Sequence, residues 1–147
     1  MYILNDKSIR EKIKNKDFDN ISNWDVTEVT DMKNLFRDNI HLNYDISNWN
    51  VSNVTDMSCM FYGCKNFDQD IGNWDVSNVC NMSGMFYKCK NFNQNLSKWN
   101  VINVNNMEDM LYGFDNFCQN MTKWKIYKIN KNEIWKIFRE CKYFEEY

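Results

Sequence analysis

Residues 71–95 read IGNWDVSNVCNMSGMFYKCKNFNQN, and this stretch decides how the rest of the chain is understood. It is one copy of a 25-residue unit marked by Trp24, Trp49, Trp74, Trp99 and Trp124, which recur with no insertion between them. A fixed period of this size predicts stacked coils, each burying its apolar side against its neighbours, in place of one irregular core.

The unit is legible column by column. Ile21, Ile46, Ile71, Leu96 and Met121 stand three residues before the tryptophans, and Val26, Val51, Val76, Val101 and Ile126 two residues after them. A second valine column, Val29, Val54, Val79 and Val104, ends in Ile129. The Trp-x-Val spacing predicts a short strand with both side chains on one face and Asp25, Asn50, Asp75, Asn100 and Lys125 on the other. Met32, Met57, Met82 and Met107 are followed three and four residues later by Leu35-Phe36, Met60-Phe61, Met85-Phe86 and Met110-Leu111. That spacing predicts one or two turns of helix, with Gly63 and Gly113 at the exit. Leu42, Phe67, Phe92 and Phe117 close each coil.

The ends depart from the period. Residues 1–20 contain Asn5 or Asp6 as a cap for a short helix reaching Lys16, with Ile9 and Ile13 on one face and Phe18 following. Residues 21–130 hold the repeats. Residues 131–147 place Ile134, Ile137, Phe138, Cys141 and Phe144 on one helical stripe, introduced by Asn130 and Glu133. Both ends are expected to be helical caps for the open faces of the stack. A partner-binding or membrane-surface helix is the sharper reading of the second, and its mixed charges weaken the membrane version.

Composition narrows the class. One domain of 147 residues without proline and with 16% aromatic residues is an ordered chain, not a linker. The net charge of −2 gives no footprint for nucleic acid. The N-terminus has no apolar core of a signal peptide and no run approaches a membrane span, so an intracellular or virion location is expected, without membrane insertion. Of six cysteines, only Cys64 and Cys89 share a column, where the next copy has Phe114, while Cys59, Cys80, Cys118 and Cys141 stand elsewhere. A column accepting Cys or Phe reads as a buried apolar site, and no CxxC spacing suggests a metal.

Chemistry is sparse. Asp68, Asp70 and Asp75 cluster, yet Asn replaces Asp throughout these columns, as happens where a turn needs a side-chain acceptor. His41 falls in a column otherwise held by Asn66, Asn91 and Asn116, which makes it a polar loop residue. No phosphate loop, nucleophile elbow or zinc spacing occurs, so no catalytic residue, metal ligand or cofactor is expected. A carbohydrate-directed role would need exposed tryptophan. What varies is the outward face: short polar residues in the early coils give way to Lys98, Asn100 and Ile102, then Lys123, Lys125 and Tyr127. Apolar anchors in a charged rim are the composition of a protein-binding patch. The plainer reading packs this patch against the C-terminal cap.

The segments NWDVSNV and M-x-x-MF-Y-x-C-x-x-F, recurring in fixed register over about residues 20–130, resemble the repeat of the BspA-type leucine-rich-repeat surface proteins, a family of largely unknown function. The resemblance implies an α/β fold: a leucine-rich-repeat-like right-handed solenoid of about five 25-residue coils, a short parallel strand plus a short helix in each, with helical caps. It implies adhesin-like surface proteins or repeat proteins of giant DNA viruses and protists, and no catalytic residues. The chain is expected to depart from the surface members by lacking a signal peptide, lipid-attachment cysteine and wall anchor. The expected function is a non-enzymatic scaffold for protein–protein interaction, the alternative a self-associating structural component of a virus particle or surface layer.

Overall fold

The computed structural model describes residues 3–114, 121 and 123–141. Its regular elements are few: β1 (Ile3–Asn5), α1 (Asp6–Lys14), a 3-10 turn at Ile21–Asn23, β2 (Asp25–Glu28) and a 3-10 helix over Lys131–Phe138. β1 and β2 run parallel, Ile3 opposite Asp25 and Asn5 opposite Glu28.

Between residues 30 and 113 the coils are held by backbone hydrogen bonds to the next copy. Met32, Met57 and Met82 N–H donate to the carbonyls of Asp56, Asn81 and Asn106 at 2.8–2.9 Å. Phe36, Phe61 and Phe86 N–H donate in the same way to Met60, Met85 and Met110, so each coil lies directly on the one before it. Asp31, Asp56, Asn81 and Asn106 form a run of parallel single-residue bridges.

The expected strand and helix within each coil are absent from the described coils after β2. The Trp-x-Val segment is bent into turns, Trp74 N–H donating to Ile71 and Val79 to Val76. Its outward Asp or Asn accepts the amide two residues on, Asp75 Oδ1 from Ser77 N–H and Asn50 Oδ1 from Ser52 N–H, a bond that Asp25 also makes to Thr27 within β2, so what sets β2 apart is its pairing with β1. In the Met-x-x-Met-Phe segment alternate amides point to the neighbouring coil, which an α-helix forbids because it needs them for its own i−4 carbonyls. Met60 N–H donates to Met57 and Cys64 N–H to Phe61, closing two tight turns with Cys59 and Gly63 at positive φ in the third position. That is the type II arrangement. Gly63 and Gly113 therefore serve turns and not helix exits.

The interior is aromatic and dense. Phe36, Phe61 and Phe86 stack at 5.8 and 5.5 Å, with Phe67 and Phe92 beside the last two. The rings of Trp49, Trp74, Trp99 and Trp124 are buried, and each indole N–H donates to the carbonyl 28 residues earlier, Ile21, Ile46, Ile71 and Leu96. Trp24, with no coil before it, is half-buried and bonds to Asp19.

The N-terminal segment closes the first coil more specifically than its helical pattern suggested. Asn5 is the cap, paired reciprocally with Ser8, and the helix stops at Lys14, two residues short of Lys16, which adopts positive φ. Because Asn5 caps the helix, Asp6 can reach the first coil, where its carboxylate accepts from Thr30 N–H at 2.7 Å and Asp31 N–H at 3.1 Å. Arg10 donates to the carbonyls of Asp31 and Lys33. In the next coil the equivalent carbonyls, Asp56 and Ser58, receive the backbone amides of Met32 and Asn34. Two side chains thus replace the backbone groups of an absent preceding coil.

At the other end Ile137 and Phe138 are buried, and Ile134 and Cys141 pack against the core. Their segment is a 3-10 helix and not an α-helix, with Glu133 N–H turning back to the Asn130 carbonyl three residues earlier, and Lys136, Ile137 and Arg139 give their carbonyls to Asp109, Leu111 and Gly113 of the last full coil. Phe117, Asn116, Cys118 and Phe144 lie outside the described residues.

Candidate functional site

The acidic columns serve the backbone. Asp31, Asp45, Asp56 and Asp70 each accept the N–H two residues on, as do Asn81, Asn95 and Asn106. Asp68 accepts from Asn93 N–H and from the Gln94 amide of the following coil. Hydrogen bonds from Ser77 hold the Asp75 carboxyl below its usual value of 3.8. Among the described residues no group of three His, Cys, Asp or Glu is placed to hold a metal ion.

The cysteine column is buried but not merely apolar. Cys64 Sγ donates to the Phe36 carbonyl at 3.0 Å, and Cys89 Sγ to Phe61 at 2.8 Å. Burial pushes the Cys64 thiol up to about 12 and Cys89 well above its usual range. Both are therefore protonated structural links between coils, without the thiolate character that nucleophiles and metal ligands need. His41 is exposed, on the rim of a groove of about 440 Å³ against Ile13, Phe18, Leu35 and Phe36.

The six residues singled out from the sequence all reach the surface, on two successive coils. Lys98, Asn100, Lys123 and Lys125 are exposed. Ile102 is 39% and Tyr127 75% exposed, so the described part of the C-terminal segment does not cover them. The two coils are joined here by the Trp124 indole bond to Leu96 and by Lys128 Nζ, 3.1 Å from Asn103 Oδ1. The 25-residue offset sets Lys123 beside Lys98, Lys125 beside Asn100 and Tyr127 beside Ile102. Asn100 spends its side-chain oxygen on the Ile102 N–H, and Lys98 Nζ lies 3.3 Å from Asn73 Oδ1.

With the repeat geometry established, comparison with known proteins becomes informative. The model of the family described as "Mycoplasma protein of unknown function, DUF285" matches residues 7–124 and, in a second placement, residues 68–146. The chain belongs to this family. Two overlapping placements are what a family model finds when the chain it is laid on repeats itself. No curated protein and no solved structure gives a match. Among the described residues of this DUF285 chain, no helix is long and apolar enough to cross a membrane.

One surface column of the family member, the tyrosine of the recurring M-x-x-MF-Y-x-C segment, has an arrangement that the motif did not disclose. Tyr62, Tyr87 and Tyr112 stack at 4.5 and 4.4 Å on the outside of three coils. Arg37 lies 4.1 Å over the first ring and Arg139 5.3 Å from the last. The 25-residue spacing of Arg37, Tyr62, Tyr87 and Tyr112 was the available signal. The spacing repeats in the sequence, but the stacking of these half-buried rings depends on the coils lying in register.

Proposed function

We propose that this DUF285 protein is a non-enzymatic scaffold that binds an acidic or mixed protein surface through Ile102 and Tyr127, ringed by Lys98, Lys123 and Lys125. One observation carries the reading: Ile102 and Tyr127 stand 39% and 75% exposed at the same position of two adjacent coils, whereas the other large exposed apolar residues among the described residues of the repeats, Ile40 and Tyr44, both lie in one coil. Exposed aromatic and aliphatic anchors beside cations are the composition of an interface core and its rim. The proposal includes the finer architecture, a right-handed solenoid of the leucine-rich-repeat type related to BspA-like proteins, whose coils present this face as a continuous strip. Four of the five repeat indoles are buried, but Trp135 of the C-terminal segment is 55% exposed, so a carbohydrate-directed role would have to use that ring and not the repeat ladder.

The test is affinity capture from the native source with the wild-type chain and with the Ile102→Ser, Tyr127→Ser double variant. Both side chains are substantially solvated, so thermal stability should change little. A specific partner retained by wild type and lost by the variant supports the assignment, and equal capture by both removes it. Capture of further copies of the chain itself would instead favour a structural, self-associating role.

A further inference from the structure

The ladder of backbone bonds ends before the chain does. Thr30, Thr55 and Cys80 carbonyls accept the amides of Thr55, Cys80 and Asn105, and two residues further on the amides of Met32, Met57 and Met82 are taken by Asp56, Asn81 and Asn106. The next pair is the carbonyl of Asn105 and the amide of Met107. Neither has a hydrogen-bond partner among the described residues. The period would supply Asn130 and Lys131, but there the chain turns into the 3-10 helix, and Asn130 gives its side chain to Asn132 N–H. It returns to the ladder only at Lys136, which accepts from Asp109 across 27 residues where Glu108 accepts from Gly84 across 24. The surplus residues bow outward and leave a groove of about 400 Å³ walled by Asn105, Met107, Glu108, Glu133 and Lys136.

An open N–H and C=O at the end of a parallel ladder is a template for another strand. The groove's charge narrows the occupant. Glu108 and Glu133 both approach Lys136 Nζ, at 4.0 and 3.2 Å, so two carboxylates share one ammonium and a second cation is complementary. We propose that this groove binds an extended, basic peptide segment of a protein partner as one further rung of the ladder. One residue of that segment donates its N–H to the Asn105 carbonyl, and the following residue accepts the Met107 N–H, repeating what Asn105 and Asn106 do on Cys80 and Met82. The site is distinct from the Ile102 and Tyr127 patch and stands if that patch fails, although it opens a few residues beyond both on the same coils.

The test uses the full ¹⁵N-labelled chain and an acetylated, amidated peptide, Asn-Val-Asn-Asn-Met-Lys, which copies residues 103–107 and ends in lysine. Without peptide, the Met107 amide should exchange with solvent about tenfold or more faster than those of Met57 and Met82, which are bonded to the next coil. Peptide should bind saturably and slow it. Methylating the amide nitrogen of the peptide's third residue removes the donor to Asn105 and should weaken binding about tenfold or more, while methylating the fifth, which faces away, should change it less than about twofold. Glu133→Lys should weaken binding, and Ile102→Ser with Tyr127→Ser should not. The proposal is overturned if Met107 exchanges as slowly as Met57 in the free chain. It is equally overturned if millimolar peptide gives no saturable binding, or if the two methylated peptides behave alike.

Discussion

Replacing Trp74 by Phe isolates the bond that ties one coil to the next. Its indole N–H donates to the Ile46 carbonyl at 3.2 Å, with Ile46 wholly buried and Trp74 4% exposed. The substitution keeps an aromatic ring against Phe61 but removes the donor and the volume of the five-membered ring. The Ile46 carbonyl still receives the Trp49 N–H, so losing the indole costs about 1 kcal/mol, the low end for a buried group deprived of a partner. The missing ring atoms and the space they leave add roughly 1–3 kcal/mol. The sum is about 2–4 kcal/mol. Trp24→Phe is the internal control, because its ring is half-buried and its indole donates to exposed Asp19, where water can replace it, for a cost of about 1 kcal/mol or less. Urea unfolding followed by the remaining tryptophan emission reads the difference from the midpoints at constant slope. Trp99→Phe should match Trp74→Phe, since its bond to Ile71 at 3.0 Å repeats the geometry. If the Trp74 and Trp24 variants lose the same stability, the indole bonds do not link the coils and the reasoning is refuted.

Two further outcomes follow from the ends and the cysteine column. Burial works against the Asp6 carboxylate, but hydrogen bonds from Asp31 and Thr30 outweigh it and hold its pKa below 3.8. A depressed folded-state pKa means that its contribution is present above that value and lost as pH falls, so thermal melts of wild type and Asp6→Asn should converge below about pH 4. For Cys64 the sign is reversed, since burial raises its pKa from 9.0 to about 12. Its contribution is complete below pH 9.0 and lost as pH climbs toward about 12, so the stability advantage of wild type over Cys64→Ala should shrink across that window. In iodoacetamide labelling of the native chain, peptide mapping should show exposed Cys80 modified well before Cys64 or Cys89.

The Trp74 bond also shows where sequence reasoning stops. A column of indoles at constant spacing implied an interior ladder, and hydrophobic periodicity placed Val76, Met82 and Phe86 inside with it. The local conformation joining them was not legible. Met57, Met60 and Phe61 share a face both in a helix and in a run of type II turns, and the two differ only in whether alternate amides serve their own coil or the next. That choice depends on a neighbouring coil being in hydrogen-bonding range, which no single repeat contains. The same limit hid the second role of Asp6, readable as a cap for its own helix until Thr30 is brought beside it.

The sequence alone therefore determined the period and the inward columns, because these follow from side-chain polarity repeated at a fixed interval; it left open whether the C-terminal segment covers Ile102 and Tyr127. The tertiary structure decided the partners of the backbone amides, the substitution of Asp6 and Arg10 for a missing coil, and the opening between Asn105 and Lys136. Each of these depends on groups about one coil apart in the chain, and the energy of a hydrogen bond is set by a few tenths of an ångström that only the stacked coils supply.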